Sequence, residues 1–215
     1  MEEILIIGAG GFGREVLWTI KDCNKIKENY SVIGFIDDDK SLHGKLIDGF
    51  SVLGGLEWIE NNYQKSISCI IAIGNSLRKK EITHQLKKIE PRYATIIHPT
   101  VISSESVTIG EGTIIQAGTI LTVDIVIGKH VHVNIDSTIG HDSVIEDYVT
   151  INPGVHINGK TTIGNSSYIG TGVVMKQEIK IGSESIIGAG SVVLENVPEK
   201  SLFVGVPAKL KKKIC

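Results

Sequence analysis

Between Ile97 and Val192 an apolar residue returns at every sixth position, and only Ser103 interrupts the series. The first place of each hexad runs Ile97, Ser103, Ile109, Ile115, Leu121, Ile127 and onward, without a slip of register, to Met175, Ile181 and Ile187. The fifth place is always small or β-branched, from Val101 and Val107 to Ser185 and Ser191, and glycine is common at the second, as in Ile139-Gly140. A period of six suits neither an α-helix nor a half-buried strand; it is the signature of a parallel β-helix. Each hexad is expected to form one short strand and a corner, with the apolar residue inside a narrow prism and the fifth-place residue filling the corner. Three hexads close one turn, turns stack at about 4.8 Å, and this run makes about five of them. Such coils gain stability only by stacking, so the last one needs a cap. The basic segment AKLKKKIC, after the period fails at Val193, is expected to supply it as a short strand or tail.

Residues 1–93 read as alternating strands and helices: strands at Ile4–Ile7, Ser31–Ile36 and Ser68–Ile73, helices over Arg14–Cys23, Leu56–Tyr63 and Leu77–Ile89. Elements of that length in that order predict a small parallel sheet covered by helices, a half-sized Rossmann-like domain. Tyr93–Ile96 is expected as its last strand, with His98-Pro99 opening the prism. No Gly/Ser-rich or charged linker separates the two parts, so they are expected to pack together.

Gly8-Ala9-Gly10-Gly11-Phe12-Gly13 satisfies G-x-G-x-x-G between the first strand and helix, and Asp37 and Asp38 end the second strand. Glycines there permit a tight turn and a close phosphate, which the helix N-terminus attracts. NAD is the obvious ligand, but a dinucleotide needs the second half of the fold, and none is expected here. A mononucleotide diphosphate fits the half domain better. A purely structural role in turn and helix packing stays open, as it does for Ile73-Gly74-Asn75 on the carboxyl edge of the sheet.

The net charge of -2 gives no pull toward nucleic acid or an anionic membrane. Cys23, Cys69 and Cys215 are odd in number and scattered, which suggests neither a disulfide framework nor a zinc site and fits a reducing, cytoplasmic compartment. Glu2 and Glu3 precede a short apolar strand, the wrong pattern for a secretory signal, and no apolar run is long enough to span a bilayer. Among seven histidines, His141 stands out because Asp142 follows it at a corner, outside the packed interior. An imidazole tuned by a carboxylate is a general base; a surface pair without function is the other reading. Asn134 and Asn152 read as ladder residues or prism-surface contacts, and Lys209 with Lys211–Lys213 as a solvated tail or an attraction for phosphates.

The hexads, GAGGFG, FIDDD, the DSTIGHD segment and GVPAK together resemble bacterial nucleotide-sugar acetyltransferases of the PglD/NeuD type, and the resemblance covers nearly the whole chain. It implies a left-handed β-helix over residues 94–215, against the usual crossover hand, following a Rossmann-like nucleotide-sugar domain over 1–93. It also implies a homotrimer with acetyl-CoA between prisms, no metal and no NAD. The implied activity is N-acetylation of the 4-amino group of a UDP- or dTDP-linked 4-amino-dideoxy sugar, by direct transfer in a ternary complex. O-acetylation of a sialic acid or related sugar is the alternative, with a non-catalytic scaffold and an NAD-binding sensor as rivals from other classes. Carried over by motif, His141 is the general base and Asp142 tunes it. Gly10, Gly11, Phe12, Asp37, Asp38 and Gly54 bind substrate; Thr150, Gly159 and Thr171 bind the cofactor. Some relatives have histidine where Phe12 and Thr150 stand, so any polar contact from the Phe12 side chain is lost, and Thr150 is the smaller group at its position.

Overall fold

A computed structural model describes residues 1–214; Cys215, the third cysteine, lies outside the described residues. The N-terminal sheet is built from β1 (Glu2–Ile7), β2 (Tyr30–Ile36), β3 (Leu46–Ile47), β4 (Phe50–Gly54), β5 (Ile67–Ile71) and β6 (Arg92–Tyr93), in the order β3-β4-β2-β1-β5-β6. All neighbours are parallel except the β3–β4 hairpin. That hairpin lies in the polar stretch 37–49, where turn formers mask the short apolar pair Leu46-Ile47. Helix α1 (Gly11–Ile26) covers one face of the sheet; α2 (Leu56–Asn62) and α3 (Ser76–Gln85) cover the other. Two glycines of the first turn are demanded by packing. Gly8 has a φ of 110°, and a Cβ on Gly13 would fall 2.0 Å from the Gly8 carbonyl oxygen, so α1 can leave β1 this closely only without one.

The chain passes from sheet to coil faster than the sequence suggests. Tyr93–Ile96 is not one strand: Arg92–Tyr93 pairs with β5, whereas Ile96–Ile97 already pairs with Ile114–Ile115 of the prism. From there a left-handed parallel β-helix runs in two-residue strands, each hydrogen-bonded to the strand one coil on, as in Thr138↔His156 and Ile139↔Ile157. Three faces result. The first begins at Ile96–Ile97, the second at Ile102–Ser103 and the third at Thr108–Ile109.

First-place residues from Ile115 to Val193 are buried in one continuous core, with Val131, Val149, Val155 and Val173 of the fifth place beside them. Burying each such aliphatic side chain contributes about 1.5–3 kcal/mol, which is why the hexad tolerates no slip. At the open first coil the pattern relaxes: Ile97 and Ser103 are exposed and Ile109 half-buried. At the other end Ser201–Val204 continues the first face and pairs antiparallel with Lys209–Lys213, so a hairpin closes the last coil. The corners turn on fourth-place residues in the left-handed region: glycine at 112, 118, 154, 172 and 190, and Asp124, Asp136, Asp142, Glu178 and Glu184 among others.

The sheet domain is seated on the first face. Ile96 and Ile114 of the prism belong to the same core as α1 and the sheet, and the Phe12 ring lies 5.0 Å from that of His132. Lys79, fully buried in α3, donates to the carbonyl oxygens of His130 (2.9 Å) and Val149 (3.1 Å), and Ser76 Oγ donates to Ser167 O at 3.0 Å. Among the described residues no helix is long and apolar enough to cross a membrane.

Candidate active site

His141 and Asp142 turn the corner between the second-face strand Thr138–Ile139 and the third-face strand Val144–Ile145. Asp142 has a φ of 58°, a left-handed conformation that aspartate tolerates better than most residues. The turn leaves both side chains outside the prism, 52% and 51% exposed. His141 Nδ1 lies 2.7 Å from Asp142 Oδ2. An Nδ1–H donating to that carboxylate fixes the tautomer in which Nε2 keeps its lone pair, the form a proton acceptor needs. One coil on, a Cβ on Gly159 would fall 2.5 Å from His141 Nε2. The imidazole therefore occupies the space that glycine leaves free, and the Gly159 N–H beside it is not used by the coil ladder.

At the carboxyl edge of the sheet the six expected substrate residues divide by task. A Cβ on Gly10 or Gly11 would meet nothing within 4 Å, so open space lies over the turn that precedes α1. Phe12 turns its side chain away, against His132, and leaves only its backbone to that turn. Asp37 is spent on architecture: Oδ2 accepts from Ala9 N at 2.8 Å and Oδ1 from Asp39 N at 2.9 Å. Gly54 is likewise structural, its carbonyl accepting from Asp37 N at 2.9 Å. Asp38 reaches a pocket of about 240 Å³ lined also by Asp37 itself and by Gly8, Leu56, Ile73, Arg78 and Ile82. Its Oδ2 pairs with Arg78 Nη2 at 2.9 Å.

A second cavity of about 460 Å³ opens between the loop that starts α3 and the first face of the prism. Gly74, Asn75 and Ser76 form one wall; Ser166, Tyr168, Glu184 and Ile186 form the other. The two cavities share this loop, Ile73 lining one and Gly74 the other. Arg78, Tyr168 and Glu184 are lining residues that sequence reasoning missed. A legible signal existed for Arg78, since the first turn of a helix after a parallel strand always sits on the carboxyl edge. None existed for Tyr168 and Glu184, which belong to the cavity only because the sheet domain sits on that face.

The expected cofactor residues do not gather in one chain. Gly159 lies against His141, but Thr171 is exposed at the corner between the first and second faces. Thr150 is 1% exposed beneath the sheet domain, next to His132 and Tyr168 in the first-face ladder. Its hydroxyl is covered, because the face that displays it is the one on which the sheet domain docks. Burial also holds two histidines of that seam neutral, His130 at about 4 and His132 well below the usual range, with Lys79 close by adding to both shifts. Among the described residues no three His, Cys, Asp or Glu side chains come together as metal ligands.

Residues 3–86 match the PglD N-terminal domain family, and residues 160–195 match the bacterial transferase hexapeptide family of six repeats. The acetyltransferase domain of PglB from Neisseria gonorrhoeae FA1090 is 30% identical and superposes with a TM-score of 0.89, over 98% of this chain and 100% of that one. The same domain has been solved in complex with acetyl coenzyme A. A histidine-to-asparagine mutant of perosamine N-acetyltransferase from Caulobacter crescentus, in complex with CoA and GDP-perosamine, superposes with a TM-score of 0.88 at 25% identity, over 98% and 97% of the two chains. A GDP-perosamine N-acetyltransferase of Escherichia coli O157:H7 is 35% identical over 143 residues, 64% of this chain. That match spans 61% of the length of this curated relative.

Proposed function

This chain belongs to the hexapeptide-repeat sugar acetyltransferases that carry a PglD-type N-terminal domain, and from that premise we propose that it moves acetyl from acetyl-CoA to the amine of a nucleotide-linked 4-amino sugar. The observation that carries the chemistry is the exposed His141–Asp142 pair, 2.7 Å apart, with the imidazole seated in the space that Gly159 leaves free. Acetyl-CoA supplies an acyl group already activated as a thioester. As the amine nitrogen bonds to the acyl carbon, His141 Nε2 takes its proton, and the same imidazolium returns a proton to the departing thiolate as the C–S bond breaks. Asp142 holds the ring and stabilises its charged form. The free Gly159 N–H is placed to donate to the oxygen that becomes negative, an interaction worth a few kcal/mol in a dry groove. Both substrates bind together, so no covalent acyl-enzyme is needed.

We place the nucleotide at Gly10, Gly11 and Asp38, and the sugar in the larger cavity next to Tyr168. In one chain that cavity lies under the sheet domain on the first face, whereas His141 projects from the corner between the second and third. A homotrimer, in which the His141 corner of one copy meets the cavity of its neighbour, completes the site; Gly159 and Thr171 then face acetyl-CoA in the groove. GDP in the relatives' names joins the UDP and dTDP that the sequence resemblance implies.

Incubating the protein with acetyl-CoA and a panel of GDP-, UDP- and dTDP-linked 4-amino sugars, and reading products by mass, tests this. One member should gain a single acetyl group, and His141→Ala should lower the rate by at least about a hundred-fold. Acetylation at wild-type rate by His141→Ala would remove the base assignment. A panel that stays unmodified while a free sialic acid is acetylated would replace the substrate.

A further inference from the structure

The wall of the larger cavity is one-sided in charge. At about 460 Å³ the space is large enough for a hexose. Leu77, Ile186 and Ile214 make part of the lining apolar, and Glu184 is the one side chain among the described lining residues that carries a full charge. It stands at the corner between the third-face strand Lys180–Ile181 and the first-face strand Ile186–Ile187. The corner is fixed by a φ of 57° and by the Glu184 N–H, which donates to Asn165 O at 2.8 Å.

The other polar side chains of the wall are engaged within the protein. Asn75 Oδ1 caps α3, accepting from Arg78 N at 3.0 Å. Ser76 Oγ donates to Ser167 O at 3.0 Å, Ser166 Oγ to Asn165 Oδ1 at 2.7 Å, and the Tyr168 hydroxyl to Asn152 Oδ1 at 3.3 Å. A hydroxyl has a single O–H, so these three keep lone pairs for a ligand but no donor. Asn75 Nδ2 is the side-chain donor that remains. Glu184 differs from them. The one described cation within 4 Å of it, the exposed Lys200, has Nζ 3.8 Å from Oε2, longer than a hydrogen bond. The carboxylate therefore keeps its lone pairs for whatever enters.

A wall rich in acceptors, poor in donors and negative in sign is complementary to a ligand that brings N–H and O–H groups and no negative charge. We propose that Glu184 sets the charge preference of the larger cavity, accepting from the amine and hydroxyls of an amino sugar and repelling a sugar that carries a carboxylate of its own. This rests on the placement of the sugar in that cavity. The sign of the selection follows from charge alone: a second carboxylate would face Glu184 with no cationic side chain among the described lining residues to receive it. Apolar neighbours strengthen the repulsion, because like charges confined to one cavity interact at a lower effective dielectric than in water. Selectivity is then supplied by a repulsive element as well as by an attractive one.

The test titrates UDP-glucose against UDP-glucuronate, and GDP-mannose against GDP-mannuronate, into the protein; each pair differs only at C6, where a hydroxymethyl group becomes a carboxylate. In wild type at least one neutral member should bind about ten-fold or more tighter than its acidic partner. Glu184→Gln should bring that pair to within about three-fold, chiefly by tightening the acidic member, a gain that loss of structure would not produce. Glu184→Asn, which suits the left-handed backbone, serves if the glutamine variant is unstable, and Glu184→Asp should keep the preference. For the amino sugar that the mass assay identifies, Glu184→Gln should raise KM by about ten-fold, with kcat and the KM for acetyl-CoA little changed. A preference that survives in the glutamine or asparagine variant, or a wild type that binds the acidic member as tightly as the neutral one, overturns the inference and leaves the transferase reading in place. Binding of acetyl-CoA with none of the four sugar nucleotides bound removes the nucleotide-sugar reading itself, and this inference with it.

Discussion

At the scale of single residues, the account turns on how little room surrounds one imidazole. Gly159 is the sharpest probe: an alanine Cβ there would lie 2.5 Å from His141 Nε2 and 2.6 Å from Cε1, so the ring must move. Gly159→Ala is therefore expected to lower kcat by about ten-fold or more, since an ångström of misplacement can cost a hundred-fold. The melting temperature should change little, because His141 is half exposed and free to swing outward. Equal activity in Gly159→Ala would show that the observed ring position is not the working one. His141 and Asp142 were legible because a histidine and a carboxylate at the third and fourth places of a hexad must stand outside the prism. The tasks of Asp37 and Gly54 were not, since sequence cannot tell a carboxylate awaiting a ligand from one already satisfied by Ala9 and Asp39 N–H groups.

At the scale of elements, α3 is the bolt between sheet and prism. Lys79 enters the seam without a carboxylate partner, and burial lowers its pKa well below the usual range. Its two carbonyl contacts and its aliphatic stem replace what solvent would provide. Lys79→Ala leaves a cavity and strips His130 O of the Lys79 donor, so a loss of about 2–4 kcal/mol is expected in denaturant unfolding. The same seam should make the protein acid-sensitive. The His130 pKa is depressed to about 4 in the folded state, whereas an unfolded chain titrates near 6.5. The unfolded state then binds more protons between those values, so the contribution is intact above about pH 6.5 and is lost progressively as pH falls toward 4. Thermal midpoints measured from pH 7.5 to 4.5 should drop across that window, and less steeply in His130→Asn, which tolerates the left-handed backbone at this corner. A seam bonded through α3 could not be read from the sequence, where Lys79 is one of several lysines on a helix with a polar face.

At the scale of the whole molecule, the six-residue period disclosed the prism almost completely, because each inward side chain fixes its own coil. It left open where the sheet domain docks, which depends on the first face being covered by Phe12, Lys79 and α1 and not on any repeat. That docking places the larger cavity and the His141 corner on different parts of one chain, so the central claim is a site shared between copies. Mixing two defective variants tests it most directly. His141→Ala lacks the proposed base, and Gly74→Trp fills the larger cavity from a position where a Cβ meets nothing within 4 Å; each alone should be inactive. When the two are co-expressed and assemble at random, about a quarter of the interfaces pair an intact histidine with an open cavity. The account predicts that the mixture regains about that fraction of wild-type acetyl transfer; activity no higher than that of the separate variants would contradict it.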